Sequence, residues 1–186
     1  MPKEQQVSKK NRKNIWLIFV CVLAAAALIA GLAFAASAER RAVIQKTLAA
    51  FYNALYIESD LDAMTQCLAE EAREDFQTVM SMGGVSPAFF RNYAQEAILE
   101  VGEGFTTAVR LTELSEYGVS EVAMIRQTFP NADKAARAKY EIVFTASDGT
   151  ESVYTNEMIL VLVNNHWYMT TYLTLPIGAN MAIGNE

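Results

Sequence analysis

The sequence predicts an α+β fold: an N-terminal transmembrane helix followed by about three helices packed on a curved antiparallel sheet of about four strands. Three observations support this prediction. Residues 15–36 contain no charged side chain. Between residues 39 and 101, apolar residues recur every three or four positions, which is the helical period. After Gly102 apolar and polar residues alternate, which is the period of half-buried strands.

The uncharged segment 15–36, IWLIFVCVLAAAALIAGLAFAA, is long enough to cross a membrane as one helix. At about 1.5 Å per residue it covers roughly 33 Å, against about 30 Å of hydrocarbon. Five basic residues precede it, opposed only by Glu4, and the more basic flank stays inside the cell. We therefore expect a cytoplasmic basic tail (1–14), a transmembrane anchor (15–36), an extracytoplasmic domain (37–175) and a flexible tail (176–186).

A cleaved signal peptide is the alternative interpretation of this segment, and cleavage would secrete the domain. The small residues AFA at 33–35 and ASA at 36–38 resemble a cleavage site. Apolar regions of signal peptides usually run about 7–15 residues, which is shorter than this segment. The length therefore favours a retained anchor in the cell membrane.

Three helices are expected after the anchor. The first covers about 39–59 and has one apolar face. The second covers about 60–79 and begins at a polar cap, Ser59 or Asp60. Gly83-Gly84 breaks the chain, and Pro87 then starts the third helix.

The strands follow, with one short helix between the first two. Residues 106–114 alternate and predict the first strand, after which Ser120 caps a helix to about Phe129. Val119 and Met124 are spaced for a hydrophobic staple across the start of that helix.

Two hairpins complete the predicted sheet. Residues 138–146 alternate cleanly, and Asp148-Gly149 predicts a two-residue turn. The returning strand ends in MILVLV (158–163), which is apolar on both faces and is typical of a strand covered on both sides. Asn164-Asn165 predict a second turn because Asn tolerates positive φ, and 167–175 form the last strand.

The run LVLVNNHWYM (160–169) and the order of elements resemble the nuclear-transport-factor-2-like superfamily, over about residues 40–175. The resemblance implies a cone-shaped fold in which a curved sheet wraps helices, here as a membrane-anchored extracytoplasmic bacterial domain. Some members are isomerases or dehydratases that use an Asp, His or Tyr inside the cone. Other members are binding or assembly modules, and fold alone does not choose between them.

The charge of the outer segment excludes one class of partner. It holds 20 of the 21 acidic residues and 10 of the 15 basic ones, so its net charge is near −10. Nucleic acid and anionic lipid surfaces would repel such a domain. We expect no nucleic-acid partner.

Few residues of the sequence are candidates for catalysis. His166 is the single histidine, and pairing of Val163 with His166 across the Asn164-Asn165 turn would leave its imidazole at the exposed end of a hairpin. Cys67 is the single cysteine of the outer segment and is expected to be buried and inert. The sequence predicts no catalytic residue, cofactor or metal site.

We therefore expect a non-catalytic single-pass membrane protein whose outer domain binds a partner protein or small ligand, or self-associates through its sheet face. The candidate partner surface comprises two groups of residues. Phe89 and Phe90 lie beside the Gly-Gly break, and Ile159, Val161 and Val163 share one face of MILVLV. The alternative is a small cone-pocket enzyme of isomerase or dehydratase type, acting on an apolar substrate. An enzyme requires a deep apolar cavity with an acid or base at its floor.

Overall fold

The computed structural model describes residues 35–82 and 87–172. The chain divides into two compact units, Met1–Arg40 and Arg41–Glu186. Of the first unit only 35–40 are described, and they are helical. No helix among the described residues is long and apolar enough to cross a membrane. The predicted anchor, apart from its last two residues, and the predicted tail at 176–186 lie outside the described residues.

The predicted α+β class is confirmed, with five helices and a four-stranded antiparallel sheet in the described part of the chain. The helices are α1 (35–53), α2 (Leu61–Gln66), α3 (Glu70–Ser81), α4 (Pro87–Val101) and α5 (Val119–Ile125). The strands are β1 (Thr106–Glu116), β2 (Lys134–Thr145), β3 (Glu151–Val163) and β4 (His166–Met169). The sheet order follows the chain, β1-β2-β3-β4.

The helical region has more elements than the sequence predicted. The helix expected over 60–79 is two helices, α2 and α3, and Asp60 caps the first by accepting a hydrogen bond from Ala63 N at 3.0 Å. Between them Leu68 forms a parallel bridge with Met169. Met169 N donates to Cys67 O, and Ala69 N donates to Met169 O, both at 2.9 Å. The linker therefore acts as a short strand on the outer edge of β4.

Helix α1 continues as a π-helical segment, Ala54–Glu58, and ends at Ser59. Ser59 has a φ of 52°, the left-handed conformation that often closes a helix. The extra residue of the π turn keeps three successive residues of this segment buried, Ala54, Leu55 and Tyr56. The first predicted helix, 39–59, thus matches the observed one closely.

Side chains of each strand alternate between two faces of the sheet. We call the face that carries Ala136, Ala138, Tyr140, Ile142 and Phe144 of β2 the inner face. It packs against α1, the π segment and α4 in the main core. Buried side chains from the helical side include Ile44, Leu48, Phe51, Tyr52, Leu55, Tyr56, Phe76, Phe90 and Tyr93.

The opposite or outer face is covered at one end by a second, smaller cluster. Its buried members are Ala69, Val122, Ala132, Ala135 and Val161, and helix α5 supplies Val122. The staple predicted for α5 is wrong, because Val119 is 90% and Met124 63% exposed. The helix begins at Val119, one residue before the predicted cap, and the Glu121 carboxylate accepts a hydrogen bond from Gly118 N at 2.7 Å.

Both hairpins occur where the sequence predicts them, and one differs in length. Asn164 and Asn165 have φ values of 51° and 63°, and Val163 pairs with His166 as expected. At the other turn Ala146 N donates to Thr150 O, so three residues, not two, form the loop. Gly149 closes that loop with a φ of 87°, which is the geometry of a type I turn followed by a left-handed residue.

Candidate functional site

The centre of the main core is the place where a cone-shaped enzyme would hold its acid or base. In this protein two phenols meet there: Tyr52 Oη lies 2.9 Å from Tyr140 Oη, and both side chains are fully buried. Tyr56 stacks on Tyr52, with ring centroids 6.4 Å apart. Every buried residue in the described part of the chain is apolar or aromatic. The interior formed by the described residues is therefore apolar and aromatic, and its central hydroxyl groups lie within hydrogen-bond distance of each other.

Two further tyrosines, Tyr154 and Tyr172, donate hydrogen bonds to carboxylates on helices. Tyr154 of β3 donates a hydrogen bond to Glu100 of α4. Burial, followed by this bond to a carboxylate, raises the pKa of Tyr154 to about 12. Tyr172 donates to Asp75 Oδ2 of α3 at 3.2 Å, and its pKa is also raised, mainly by burial. Both phenols stay protonated at neutral pH and act as hydrogen-bond donors.

A polar groove lies between the start of α3, the loop at 130–133 and the Asn164-Asn165 turn. It has two adjoining parts of about 320 and 520 Å³, and four residues line both. These four are Glu70, Asn131, Val163 and Asn164. Charged side chains line both parts of the groove, among them Glu70, Arg73 and Arg126.

The two arginines of the groove hold backbone carbonyls. Arg126 Nε donates to Ala132 O at 2.7 Å. Arg73 donates from Nε to Thr65 O and from Nη2 to Leu68 O, both at 3.1 Å. These bonds fix the loop after α5 and the linker between α2 and α3. The arginines therefore have a structural role. The sequence could not predict it, because every residue has a backbone carbonyl and the pattern of side chains does not show which carbonyl an arginine binds.

His166 lies beside the groove, exposed at the end of the hairpin, as the sequence predicts. Its Nδ1 is 2.9 Å from Asn164 O. Since a carbonyl can only accept, Nδ1 carries the proton and donates. The ring lies 6.4 Å from that of Tyr168, centroid to centroid. No described side chain orients the imidazole as a carboxylate orients a catalytic histidine.

Cys67 is half-buried in the linker between α2 and α3. Its thiol donates a weak hydrogen bond to Ala63 O at 3.6 Å. Burial raises the pKa of this thiol to about 11. A protonated thiol is a poor nucleophile, so the environment suppresses the reactivity of Cys67.

The residues of the predicted partner surface are buried or half-buried wherever the structure describes their side chains. Phe90 is 5% exposed and packs against the rings of Phe76 and Tyr93 at 5.2 and 6.0 Å. Its assignment to an exposed patch is therefore wrong, because α4 turns this residue inward. The side chain of Phe89 lies outside the described residues.

The second group of that surface is covered within the chain. Val161 is completely buried, and Ile159 and Val163 are half-buried against the cluster that contains Val122 of α5. MILVLV is apolar on both faces because α5 and the loop after it cover the outer face at this end. The apolar outer face of MILVLV is thus explained by contacts within one chain and requires no partner.

Comparison with known proteins gives distant structural similarity only. The chain matches no protein-family model and no curated protein. It is similar to Aln2 from a Streptomyces species, with 9% identity and a TM-score of 0.41, over 78% of this chain and 94% of that one. A SEC-C motif containing protein from Rhodopseudomonas palustris has 16% identity and a TM-score of 0.37, over 64% and 68%.

A candidate aromatic ring hydroxylase from Novosphingobium aromaticivorans has 18% identity and a TM-score of 0.36, over 72% of this chain and 85% of that one. All three TM-scores are below 0.5. Similarity at this level assigns neither a family nor an activity to the chain.

Proposed function

We propose that the protein is a single-pass membrane protein whose outer domain is a cone-shaped module of the nuclear-transport-factor-2-like type that binds a partner protein without catalysis. The observation that carries this proposal is the close contact of aromatic side chains at the centre of the core, where Tyr52 packs on Tyr56 and Tyr140. Tyr52 and Tyr140 satisfy each other at 2.9 Å in the centre of the core, where an enzyme of this shape would need space for a substrate.

Membrane attachment rests on the sequence. The uncharged segment 15–36 has the length of a membrane span. It is longer than the roughly 7–15 residues usual for the apolar region of a signal peptide, which favours a retained anchor over cleavage.

The charge of the outer segment indicates the chemistry of the partner. A net charge near −10 favours a partner with a neutral or basic surface. Electrostatic steering of this kind weakens as salt rises, since the Debye length falls from about 10 Å at 0.1 M to about 3 Å at 1 M. Binding of a basic partner should therefore be faster at low ionic strength.

Attachment is tested by fractionating cells that produce the full chain with a C-terminal tag. We expect the tagged protein to remain in the membrane fraction after washing with carbonate, at the mass of the uncleaved chain. Tagged protein in the medium whose first residue is Ala36 or Glu39 would contradict the proposal.

The absence of catalysis is tested with variants that remove proton-transfer groups and keep their shape. Tyr52→Phe, Tyr140→Phe and His166→Gln, combined in one full-length chain, should preserve the phenotype of the wild-type gene in a deletion strain. The matched comparison is a strain that carries the deletion alone. A triple variant that accumulates normally yet behaves like the deletion would favour the enzyme alternative.

A further inference from the structure

Val143 of β2 is buried on the outer face of the sheet, at the end away from α5. Its neighbours across the strands on that face are Ala108 of β1 and Val153 of β3. Ala108 is exposed and Val153 is 47% exposed, whereas Val143 is 1% exposed. Val143 belongs neither to the main core nor to the cluster that contains Val122 of α5. Its burial therefore needs a cover of its own.

The ion pair of Arg110 and Glu151 crosses β2 at this residue. Arg110 Nη2 donates to both carboxylate oxygens of Glu151, each at 2.9 Å. Arg110 of β1 lies opposite Glu141, and Glu151 of β3 lies opposite Thr145. Val143 is the residue midway between Glu141 and Thr145 on the same face of β2. The two bonded side chains thus pass over Val143, and we call this ion pair the strap.

The chemistry of the strap suits a cover that can open. An arginine can lay its methylene groups on apolar surface while its guanidinium group stays in water. Both side chains of the strap are about half exposed, so dissolved ions reach the charged groups. Exposed ion pairs are weak, and salt screens them.

We propose that the strap is a salt-sensitive cover over Val143. It is closed at low ionic strength and opens as the salt concentration rises. Opening exposes an apolar strip across three strands, formed by Ala108, Val143 and Val153.

The test measures how fast a neutral maleimide labels Val143→Cys in the full-length protein in detergent micelles. Cys21→Ala and Cys67→Ala remove the native thiols from this background. With the strap intact, labelling should be slow at 0.1 M salt and about twofold or more faster at 1 M. Glu151→Gln keeps the shape of the side chain and removes its charge. It should raise the rate at low salt by about threefold and abolish the dependence on salt.

Two controls separate opening of the strap from other changes. Val161→Cys, in the same background, places the thiol on the same face of β3, where the residue is fully buried in the cluster with Val122. Its labelling rate should respond neither to Glu151→Gln nor to salt. Arg137→Ala breaks the exposed ion pair with Glu157 on the same face. It should leave the rate at position 143 unchanged.

A rate at position 143 that changes neither with Glu151→Gln nor with salt would overturn the proposal. Equal acceleration at positions 143 and 161 would also overturn it, because the whole domain would then be opening. If Val143→Cys does not fold, solvent paramagnetic relaxation of the Val143 methyl groups measures the same exposure without a change at that position. The relaxation should increase in Glu151→Gln, and an unchanged value would count against the strap.

Discussion

The inner and outer faces of the sheet are built from the same long strands but are covered differently. The inner face is buried along its length by the helices, and its central residues are large and aromatic. The outer face is buried at one end, where α5 and the following loop lie on it, and at Val143 of β2. The rest of that face carries exposed ion pairs between neighbouring strands or across β2.

The difference shows how each face is stabilised. Apolar burial stabilises the inner face and one end of the outer face at roughly 25 cal/mol per Å² removed from water. The open part of the outer face has solvated pairs such as Lys139–Glu113, whose Nζ and Oε2 are 2.7 Å apart. Exposed pairs of this kind contribute little to stability. Substitutions on the two faces should therefore differ widely in effect.

Phe144→Ala should have the largest effect, a loss of about 3–5 kcal/mol in the free energy of unfolding. Phe144 is fully buried on the inner face and contacts the rings of Tyr56 and Phe105 at 5.1 and 5.8 Å. Urea denaturation of the full-length protein, followed by circular dichroism, measures this loss. A loss below about 1 kcal/mol would show that the inner core is not closely packed there.

Val161→Ala should destabilise the protein by about 2 kcal/mol, because it removes buried methyl groups and leaves a cavity under α5. The matched control is Val153→Ala, at a valine of the same strand and face that is 47% exposed. The control should cost less than about 0.5 kcal/mol. Equal losses for the two variants would contradict the division of the outer face into a covered and an open part.

Tyr52→Phe should cost about 1 kcal/mol, the usual net contribution of one buried hydrogen bond. Tyr140→Phe should cost a similar amount. The double variant should cost less than the sum of the two, since both single changes remove the same bond. Additive losses in this double-mutant cycle would mean that the two hydroxyl groups do not stabilise each other.

The smallest effect is expected at the ion pair of Glu113 and Lys139. The hydrogen bond from Lys139, and then its charge, hold the pKa of the Glu113 carboxyl below its ordinary value. Because the pKa is lower in the folded state than in the unfolded chain, the pair stabilises the fold at pH values above the ordinary carboxyl pKa. This stabilisation is lost as the pH falls through the pKa of the folded state. NMR titration of the Glu113 carboxyl should show a midpoint below its ordinary pKa in wild type. In Lys139→Met the midpoint should move back towards the ordinary value. An unchanged midpoint would exclude the bond in solution.

Local sequence determined several elements of this protein. Asn164-Asn165 form the predicted turn because Asn accepts positive φ at low cost, and Pro87 begins α4 because proline suits the first turn of a helix. The alternation in 138–146 predicted the core part of β2 and its inward residues. The exposed position of His166 followed from the turn alone. Each of these features depends on residues close together in the chain.

Tertiary structure decided the rest. The break between α2 and α3 comes from a bridge between Leu68 and Met169, and the covering of Val161 comes from α5. Arg41, which the sequence places among the charges after the anchor, bonds to Leu111 on a distant strand. Helical and strand periods record which residues are buried, but they do not record what buries them. Contacts between residues far apart in the chain therefore required the folded structure.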